Sequence, residues 1–149
     1  VEPLGEIEFI LCVAPHHPLT KAAEPLDPCV LAQHRIVAVA DSARGLEPVT
    51  VGILPGQDVL TVPSMSTKLE AQLRGIGCGF LPTAMVQPYL ASGQLVHKKV
   101  DHPPRRTKIH YAWRQPSGQP GHALAWWLQQ LESAKTRQAL LDLHEGLVL

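Results

Sequence analysis

The sequence predicts an α/β fold in which buried strands alternate with helices along the chain. Short apolar runs rich in strand-forming residues recur, for example at residues 36 to 40 and 58 to 62. Between them lie segments whose apolar residues recur every three or four positions, as in amphipathic helices. The 14 prolines and 11 glycines separate these segments at the places where turns are expected. This order of elements is typical of a mainly parallel sheet covered by helices.

The composition narrows the classes of protein to which the chain can belong. Its 149 residues, 45% hydrophobic and 17% charged, are enough for one domain with a buried core. Thirteen basic residues balance thirteen acidic ones, so no general electrostatic attraction to nucleic acid is expected. No apolar run has the length of a membrane span, and no basic-then-apolar leader opens the chain. Three cysteines without a CxxC pair fit reduced thiols in a cytosolic protein.

The first half of the chain contains three predicted strands and one short helix. The run IEFILCVAP is predicted to be a strand buried on both faces that ends at Pro15. Asp27 followed by Pro28 is a typical start for a short helix that reaches about Gln33. The runs RIVAVAD and DVLTV are the second and third strands, and the stretch 41 to 57 between them is predicted to be irregular.

A helix, a glycine cluster and a strand are predicted within residues 63 to 82. Ser64 or Ser66 caps the helix. Its apolar positions are Met65, Leu69, Leu73 and Ile76. The cluster GIGCG follows the helix, whereas a phosphate-binding loop needs its glycines before a helix, where backbone amides face the anion. We therefore expect these glycines to end the helix and to let the next strand pack closely.

The remainder of the chain continues the alternation. Thr83 is predicted to cap a helical stretch that Pro88 interrupts, and the strands QLVHKKV and KIHYAWR flank the turn-rich segment DHPPRR. One helix begins at Pro120, and another covers about 134 to 144. One side of the first of these helices carries Leu124, Trp127, Leu128 and Leu131. Such a side is typical of a core face.

The carboxyl ends of the predicted strands are where a ligand is expected. In open α/β sheets, ligands bind outside these ends and near helix N-termini. The residues at these positions are Asp41, Ser42, Ala43 and Arg44 after one strand, Ser64 and Ser66 after another, and Pro82 and Thr83 after a third. Plain helix capping is the alternative role of the serines, and a solvated loop position is that of Arg44.

The eight histidines do not form a recognisable catalytic or metal-binding pattern. HExxH, CxxC and HxH motifs are absent, and Ser64 lacks the flanking glycines of a hydrolase elbow. A nucleotide-using enzyme would need a glycine loop that opens a helix. We therefore expect no metal, no cofactor and no catalysis. No helix-turn-helix and no basic patch with interleaved aromatic residues is evident either.

Four stretches of the sequence resemble the effector-binding region of LysR-type transcriptional regulators. They are CVAPHHPL, HRIVAVADSARG, VPSMSTKLEAQLRGIGCGFLPTAMVQPYLASGQLV and KIHYAWRQPSGQPGHALAWWLQQL. The resemblance implies a type II periplasmic-binding-protein-like fold, with one complete lobe and the C-terminal part of the other. It assigns residues 1–15 to a crossover strand and the end of lobe I, residues 16–103 to the effector-binding lobe II, and residues 104–149 to the return strand and C-terminal helices of lobe I.

The resemblance also implies a function and partners. A region of this kind binds a small anionic or aromatic effector between its lobes and modulates DNA binding by an N-terminal helix-turn-helix, which has no counterpart in this sequence, so the chain resembles a C-terminal piece. The implied effector-binding residues are Ala14, Pro15, Asp41, Ser42, Ala43, Arg44, Ser64, Leu81, Pro82 and Thr83. A cytoplasmic location without a membrane partner is implied as well.

A homo-oligomer, dimeric or tetrameric in the full-length protein, is a further implication. The implied interface residues are Met65, Lys68, Leu69, Gln72 and Leu73. The three apolar members of this set fit a place in the chain's own core equally well. The alternative function is that of an exported solute-binding protein of related fold, which would deliver a small ligand to a transporter.

Overall fold

The computed structural model describes residues 1–40, 52–114 and 117–142 and has the predicted mixed α/β architecture. Its strands are β1 (Glu2–Val13), β2 (Ile36–Val39), β3 (Val59–Val62), β4 (Gly79–Pro82), β5 (Val96–Lys98) and β6 (Arg105–Tyr111). Its helices are a 3-10 helix (Pro18–Lys21), α1 (Pro28–Leu31), α2 (Met65–Leu73), α3 (Thr83–Ala91), α4 (His122–Glu132) and α5 (Ala134–Asp142). The predicted N-caps of two helices are confirmed, since Asp27 caps α1 and Ser64 caps α2.

Strand direction differs from the prediction of a mainly parallel sheet. Strand β1 pairs antiparallel with β4 and with β5, and β6 also pairs with β1. Strands β2 and β3 are parallel, and a parallel bridge from Ile36 to Cys78 connects β2 to the start of β4. The prediction was wrong because β1 is inserted between β4 and β5, a long-range pairing that the local order of elements does not encode.

Burial along β1 also differs from the prediction. The strand is predicted to be covered on both faces, but only its last residues, Leu11 to Val13, are buried. These three residues lie opposite β5 on one side, and Leu11 and Cys12 lie opposite β4 on the other. The earlier residues are exposed or half-buried, and from Gly5 to Phe9 these two states alternate, as in a strand with one solvated face.

The chain divides into two compact units, and the first contains both ends of the described chain. This unit consists of residues 1–8 and 106–149, and the second unit consists of residues 9–105. The chain therefore passes between the units at residues 8–9 and again at residues 105–106. The lobe boundaries that the resemblance implies, at residues 15–16 and 103–104, stay a prediction.

The core of the second unit lies on both faces of the sheet. One cluster is centred on Leu11, Leu19 and Leu26, with Cys78 and Phe80 of the β4 region. On the other face, Cys12, Leu81, Val86 and Leu95 form a second cluster, against which α2 and α3 pack. Burial of such side chains is the main source of the stability of this unit.

The glycines between α2 and β4 have the predicted structural role. Gly75 follows α2 with a φ of +74°, a conformation that glycine adopts at little cost. A Cβ atom on Gly77 would lie 2.9 Å from the carbonyl oxygen of Arg35, and one on Gly79 would lie 2.6 Å from Oε1 of Gln72. The prediction that these glycines end a helix and allow close packing of the next strand is confirmed.

The first unit has few buried side chains among its described residues. Leu141 of α5 is buried and lies against Gly5 of β1. Helix α4 has no buried residue, and Trp127 is 50% exposed. The expectation that Trp127 lies in a core is therefore wrong, since its ring contacts the neighbouring Trp126 edge-on at the surface.

Candidate functional site

The carboxyl ends of β2, β3 and β4 lie at one edge of the sheet. Strands β2 and β3 are in parallel register over their four residues, and the amide of Ala40 donates to the carbonyl of Val62. The bridge between Ile36 and Cys78 gives β4 the same direction as β2. Because parallel strands end at a common edge, the starts of α2 and α3 lie at the edge where open α/β sheets bind ligands.

Three hydroxyl groups lie together at the start of α2. Oγ of Ser64 accepts the backbone N–H of Thr67 at 3.2 Å, which caps the helix. The same oxygen lies 3.0 Å from Oγ of Ser66 and 2.9 Å from Oγ1 of Thr67. These hydroxyls and the positive end of the helix dipole form a polar, electropositive surface next to the end of β3.

The start of α3 is capped differently from the start of α2. Pro82 occupies the N-cap and provides no side-chain hydrogen bond, so the predicted cap, Thr83, is instead the first helical residue. Leu81 is fully buried opposite Ile10 in the sheet. Of the three predicted site residues here, Thr83 is therefore the one with a polar side chain that is not buried.

Two predicted effector-binding residues, Ala14 and Pro15, lie at the other end of the sheet. In the antiparallel register of β1 and β4, Phe9 is opposite Pro82, whereas Ala14 lies beyond Cys12, which is opposite Gly79. Five residues of extended chain correspond to about 16 Å. Ala14 is also fully buried. Both residues therefore lie away from the carboxyl edge, and their part in an effector site stays a prediction.

The predicted site loop after β2 lies outside the described residues. It consists of Asp41, Ser42, Ala43 and Arg44. They follow Ala40, the last described residue after β2. Their part in an effector site stays a prediction.

The predicted interface residues lie on the face of α2 that packs inside the chain. Met65, Leu69 and Leu73 are half-buried against the cluster around Leu81. Gln72 is fully buried, and Lys68 is 8% exposed. Their role in an interface between chains stays a prediction.

Lys68 and Gln72 form a polar group inside the second unit. Nε2 of Gln72 donates to the carbonyl oxygens of Cys12 at 2.9 Å and Gly79 at 3.1 Å, whereas its Oε1 is buried without a hydrogen-bond partner. A Cβ atom on Gly79 would lie 2.9 Å from Cε of Lys68. The pKa of Lys68 is lowered from 10.5 to about 8, chiefly by burial; the neighbouring Cys78 acts in the opposite direction, and the positive charge of Arg105 adds a smaller lowering.

Sequence reasoning missed Arg105, which contacts Phe80 of β4. Its guanidinium is stacked over the ring of Phe80, with Cζ 4.5 Å from the ring centroid. Nε of Arg105 is buried without a hydrogen-bond partner, and Gly52 lies against both side chains. In the sequence, Arg105 belongs to a turn-rich segment, and no local pattern there indicates a contact with β4.

No candidate metal site occurs within residues 1–40, 52–114 and 117–142. No group of three or more His, Cys, Asp or Glu side chains there is placed to hold a metal ion. The three cysteines are unpaired, and burial raises the pKa of Cys12 to about 12 and that of Cys78 to about 11, so both thiols are protonated at neutral pH. Each helix in the described part is too short or too polar to cross a membrane.

Comparison with known proteins identifies a family. The model of the LysR substrate binding domain matches residues 1–135. The uncharacterised HTH-type transcriptional regulator YeeY of Escherichia coli is 35% identical over 128 residues, which are 86% of this chain and 41% of YeeY. The HTH-type transcriptional activator AllS of Klebsiella pneumoniae is 41% identical over 96 residues, 64% of this chain and 36% of AllS.

A solved structure shows the same fold. The effector domain of the transcriptional regulator AmpR of Pseudomonas aeruginosa superposes with a TM-score of 0.61 at 18% identity, over 93% of this chain and 65% of that domain. The chain spans about two fifths of the length of the curated relatives that it matches.

Proposed function

The chain belongs to the LysR substrate-binding-domain family, and from that premise we propose that it binds the small-molecule effector of a LysR-type transcriptional regulator. The observation that carries the proposal is the meeting of three strand ends and two helix starts at one edge of the sheet. An effector bound there would favour one arrangement of the lobes over another. It can do so only through a difference in affinity between the two arrangements.

The proposed effector site consists of the predicted residues at the carboxyl edge. Its described members are Ser64, Leu81, Pro82 and Thr83. The loop 41 to 44 is proposed as the remaining part, since it follows β2 directly. Ala14 and Pro15 are left out of the proposed site because they lie at the opposite end of β1.

We also propose the partners of the whole regulator. The names of YeeY and AllS indicate regulators of the helix-turn-helix type, and this chain matches 41% of YeeY and 36% of AllS. We propose that the full-length protein acts in the cytoplasm as a homo-oligomer on DNA. The relatives named above are regulators, which favours this function over delivery of a ligand to a transporter. We assign no catalytic step to the chain.

The test uses the full-length regulator and its DNA. A panel of small carboxylates and aromatic compounds is titrated while DNA binding is followed by fluorescence anisotropy. At least one compound should change the apparent affinity or the footprint, and the response should be lost when the residues described here are deleted. A deletion variant that keeps the response would contradict the proposal.

A point variant localises the effect. Ser64→Ala should weaken the effector response, because it removes the hydroxyl at the centre of the cluster at the start of α2. Ser92→Ala is the matched control, since Ser92 lies at the opposite end of α3. Equal responses of the two variants would exclude Ser64 from the effector site.

A further inference from the structure

Three histidines lie together where the chain leaves β1 and where it enters β2. His17 is 7% exposed, and its ring centroid lies 5.3 Å from that of the half-buried His34. His16 is exposed, and its ring lies against Gly75 at the end of α2, where an added Cβ atom would overlap Nε2. Because this cluster lies before the starts of β2 and β4, it is at the edge of the sheet opposite to the proposed effector site.

The hydrogen bond that His17 forms requires a neutral ring. Nδ1 accepts the backbone N–H of Leu19 at 3.1 Å and so caps the 3-10 helix. A neutral imidazole whose Nδ1 accepts carries its proton on Nε2. In the protonated ring both nitrogens are donors, so Nδ1–H would face the N–H of Leu19. Protonation of His17 therefore removes the cap.

The surroundings of His17 do not compensate for a positive charge. Burial, followed by the charges of His34 and His16, lowers its pKa. Within the described ranges, no carboxylate forms an ion pair with any of the three rings. Lys21, in the last turn of the 3-10 helix, adds a further cation. The carboxylates of neighbouring elements are paired with other cations, namely Asp58 with Arg35 at 2.8 Å, Glu70 with Arg74 at 2.7 Å and Glu24 with Lys98 at 3.6 Å.

The cap holds one end of a segment whose other end is held separately. Leu19, whose N–H the ring accepts, is fully buried in the core of the second unit. The N–H of Ala22 donates to the carbonyl of Leu19 at 3.2 Å, and Nζ of Lys98 donates to the carbonyl of Ala22 at 2.9 Å. Segment 16–22 is thus fixed at its start by His17 and at its end by Lys98. Loss of the cap would free the start alone.

We propose that His17 is a pH-sensitive switch, and that its protonation in mild acid, next to His34 and His16, opens segment 16–22 locally while the sheet stays folded. The opening withdraws Leu19 from the core and moves the ring of His16 away from the end of α2. Because the cluster and the effector site lie at opposite edges of the sheet, the chain responds to pH at a place that the effector does not occupy.

Nuclear magnetic resonance of the unsubstituted chain tests the switch directly. Ring ¹⁵N spectra at pH 7.5 should show the proton of His17 on Nε2. Amide hydrogen exchange is measured at pH 7.5 and pH 5.5, and each rate is divided by the intrinsic rate at the same pH. Protection of the Leu19 amide should fall about fivefold or more between pH 7.5 and pH 5.5. Protection of the amides of β4 should change by less than about twofold, because the sheet stays closed.

Two variants and a matched control assign the effect to the cluster. His17→Asn keeps an acceptor at the cap but does not titrate, so protection of Leu19 should be the same at both pH values. His34→Gln removes one like charge and leaves the backbone carbonyl that accepts Nε2 of Gln57 at 3.0 Å, so the midpoint of opening should move to higher pH. His97→Gln, at an exposed position of β5, should behave as the unsubstituted chain does.

Any of four results overturns the inference. The first is a ring proton on Nδ1 of His17 at pH 7.5, and the second is a Leu19 amide whose protection does not depend on pH. The third is a pH dependence that persists in His17→Asn. The fourth is a loss of protection in β4 as large as that of Leu19, which would show that acid unfolds the whole unit. A midpoint that does not rise in His34→Gln would reject repulsion by His34 as part of the switch.

Discussion

Lys68 is expected to lower the stability of the folded chain at neutral pH. Because burial lowers its pKa to about 8, the folded state resists the charged form, which the unfolded state accepts up to pH 10.5. On this group the unfolded chain thus binds more protons between these values, so the contribution of Lys68 to stability rises with pH across that window. The raised pKa values of Cys12 and Cys78 act in the opposite direction above pH 9. Lys68→Met should raise the free energy of unfolding at pH 7 by about 1–3 kcal/mol, and this gain over the unsubstituted chain should shrink toward pH 10.

Urea denaturation at pH 7 and pH 10 measures both effects. Lys99→Met provides the comparison, since Lys99 is exposed. A Lys68→Met variant that is less stable than the unsubstituted chain at pH 7 would show that the ammonium group is well compensated in the fold. A gain in stability would show that burial of the ammonium group is a net cost to the fold.

His17 should make the chain sensitive to mild acid. Nδ1 of this buried ring accepts the backbone N–H of Leu19 at 3.1 Å and so caps the 3-10 helix. Burial, followed by the charges of His34 and His16, lowers the pKa of His17 below 6.5. The unfolded state therefore binds the proton first as pH falls below 6.5, and stability is lost from there down to the folded pKa.

Replacing the imidazole ring of His17 tests whether this residue causes the loss of stability in mild acid. In His17→Asn the amide oxygen can still cap the helix but does not titrate, so the decrease in denaturation midpoint between pH 7 and pH 5.5 should become smaller. His97→Gln, at an exposed position of β5, should keep the full decrease. An unchanged pH dependence in His17→Asn would assign the effect to other groups.

At the scale of elements, the approach of β4 to β2 depends on Gly77. An added methyl group there would lie 2.9 Å from the carbonyl oxygen of Arg35, a backbone atom that takes part in the bridge to Cys78. Gly77→Ala should therefore destabilise the chain by about 1–3 kcal/mol, because the strand has to shift. Chemical denaturation measures the change.

Gly121 is the matched control for this substitution. It caps α4 and, like Gly77, has no positive φ, but nothing lies within 4 Å of the position of an added methyl group. Gly121→Ala should change stability by about 1 kcal/mol or less through its effect on the cap alone. Equal losses in the two variants would show that steric contact at Gly77 is not the cause.

Element boundaries and local signals were largely predictable from the sequence. Asp27 and Ser64 were recognisable as caps because short polar side chains satisfy free backbone amides at helix starts. The role of the glycine cluster followed from its position after a helix. The antiparallel pairing of β1 was not predictable, because it depends on contacts between residues far apart in sequence. The same pairing places Ala14 away from the carboxyl edge.

At the scale of the whole molecule, the two units should differ in the stability of their backbone hydrogen bonds. The second unit contains the described hydrophobic clusters, whereas α4 of the first unit has no buried residue. Amides of β4 and of the end of β1 should exchange slowest, and those of α4 should exchange at least tenfold faster. Hydrogen exchange with mass spectrometry of peptides from both regions measures this. Equal protection of α4 and β4 would contradict the expectation.

The overall fold was better predicted than the site. The α/β class followed from alternating patterns, and the family followed from four stretches whose combined spacing is specific. The polar group inside the second unit was not foreseen, since Lys68 and Gln72 occupy helix positions that usually face solvent. Both side chains come close to β4 because Gly79 has no side chain, and Arg105 reaches Phe80 of the same strand only through the return of the chain.

The division of the chain into two units also determines which unit is completed first during synthesis. Residues 9–105 are continuous, whereas the first unit combines residues 1–8 with the segment that begins at residue 106. Because a ribosome synthesises its product from the amino end, residues 9–105 are complete before β6, which pairs with β1, has been made. The second unit can therefore fold before the two segments of the first unit meet.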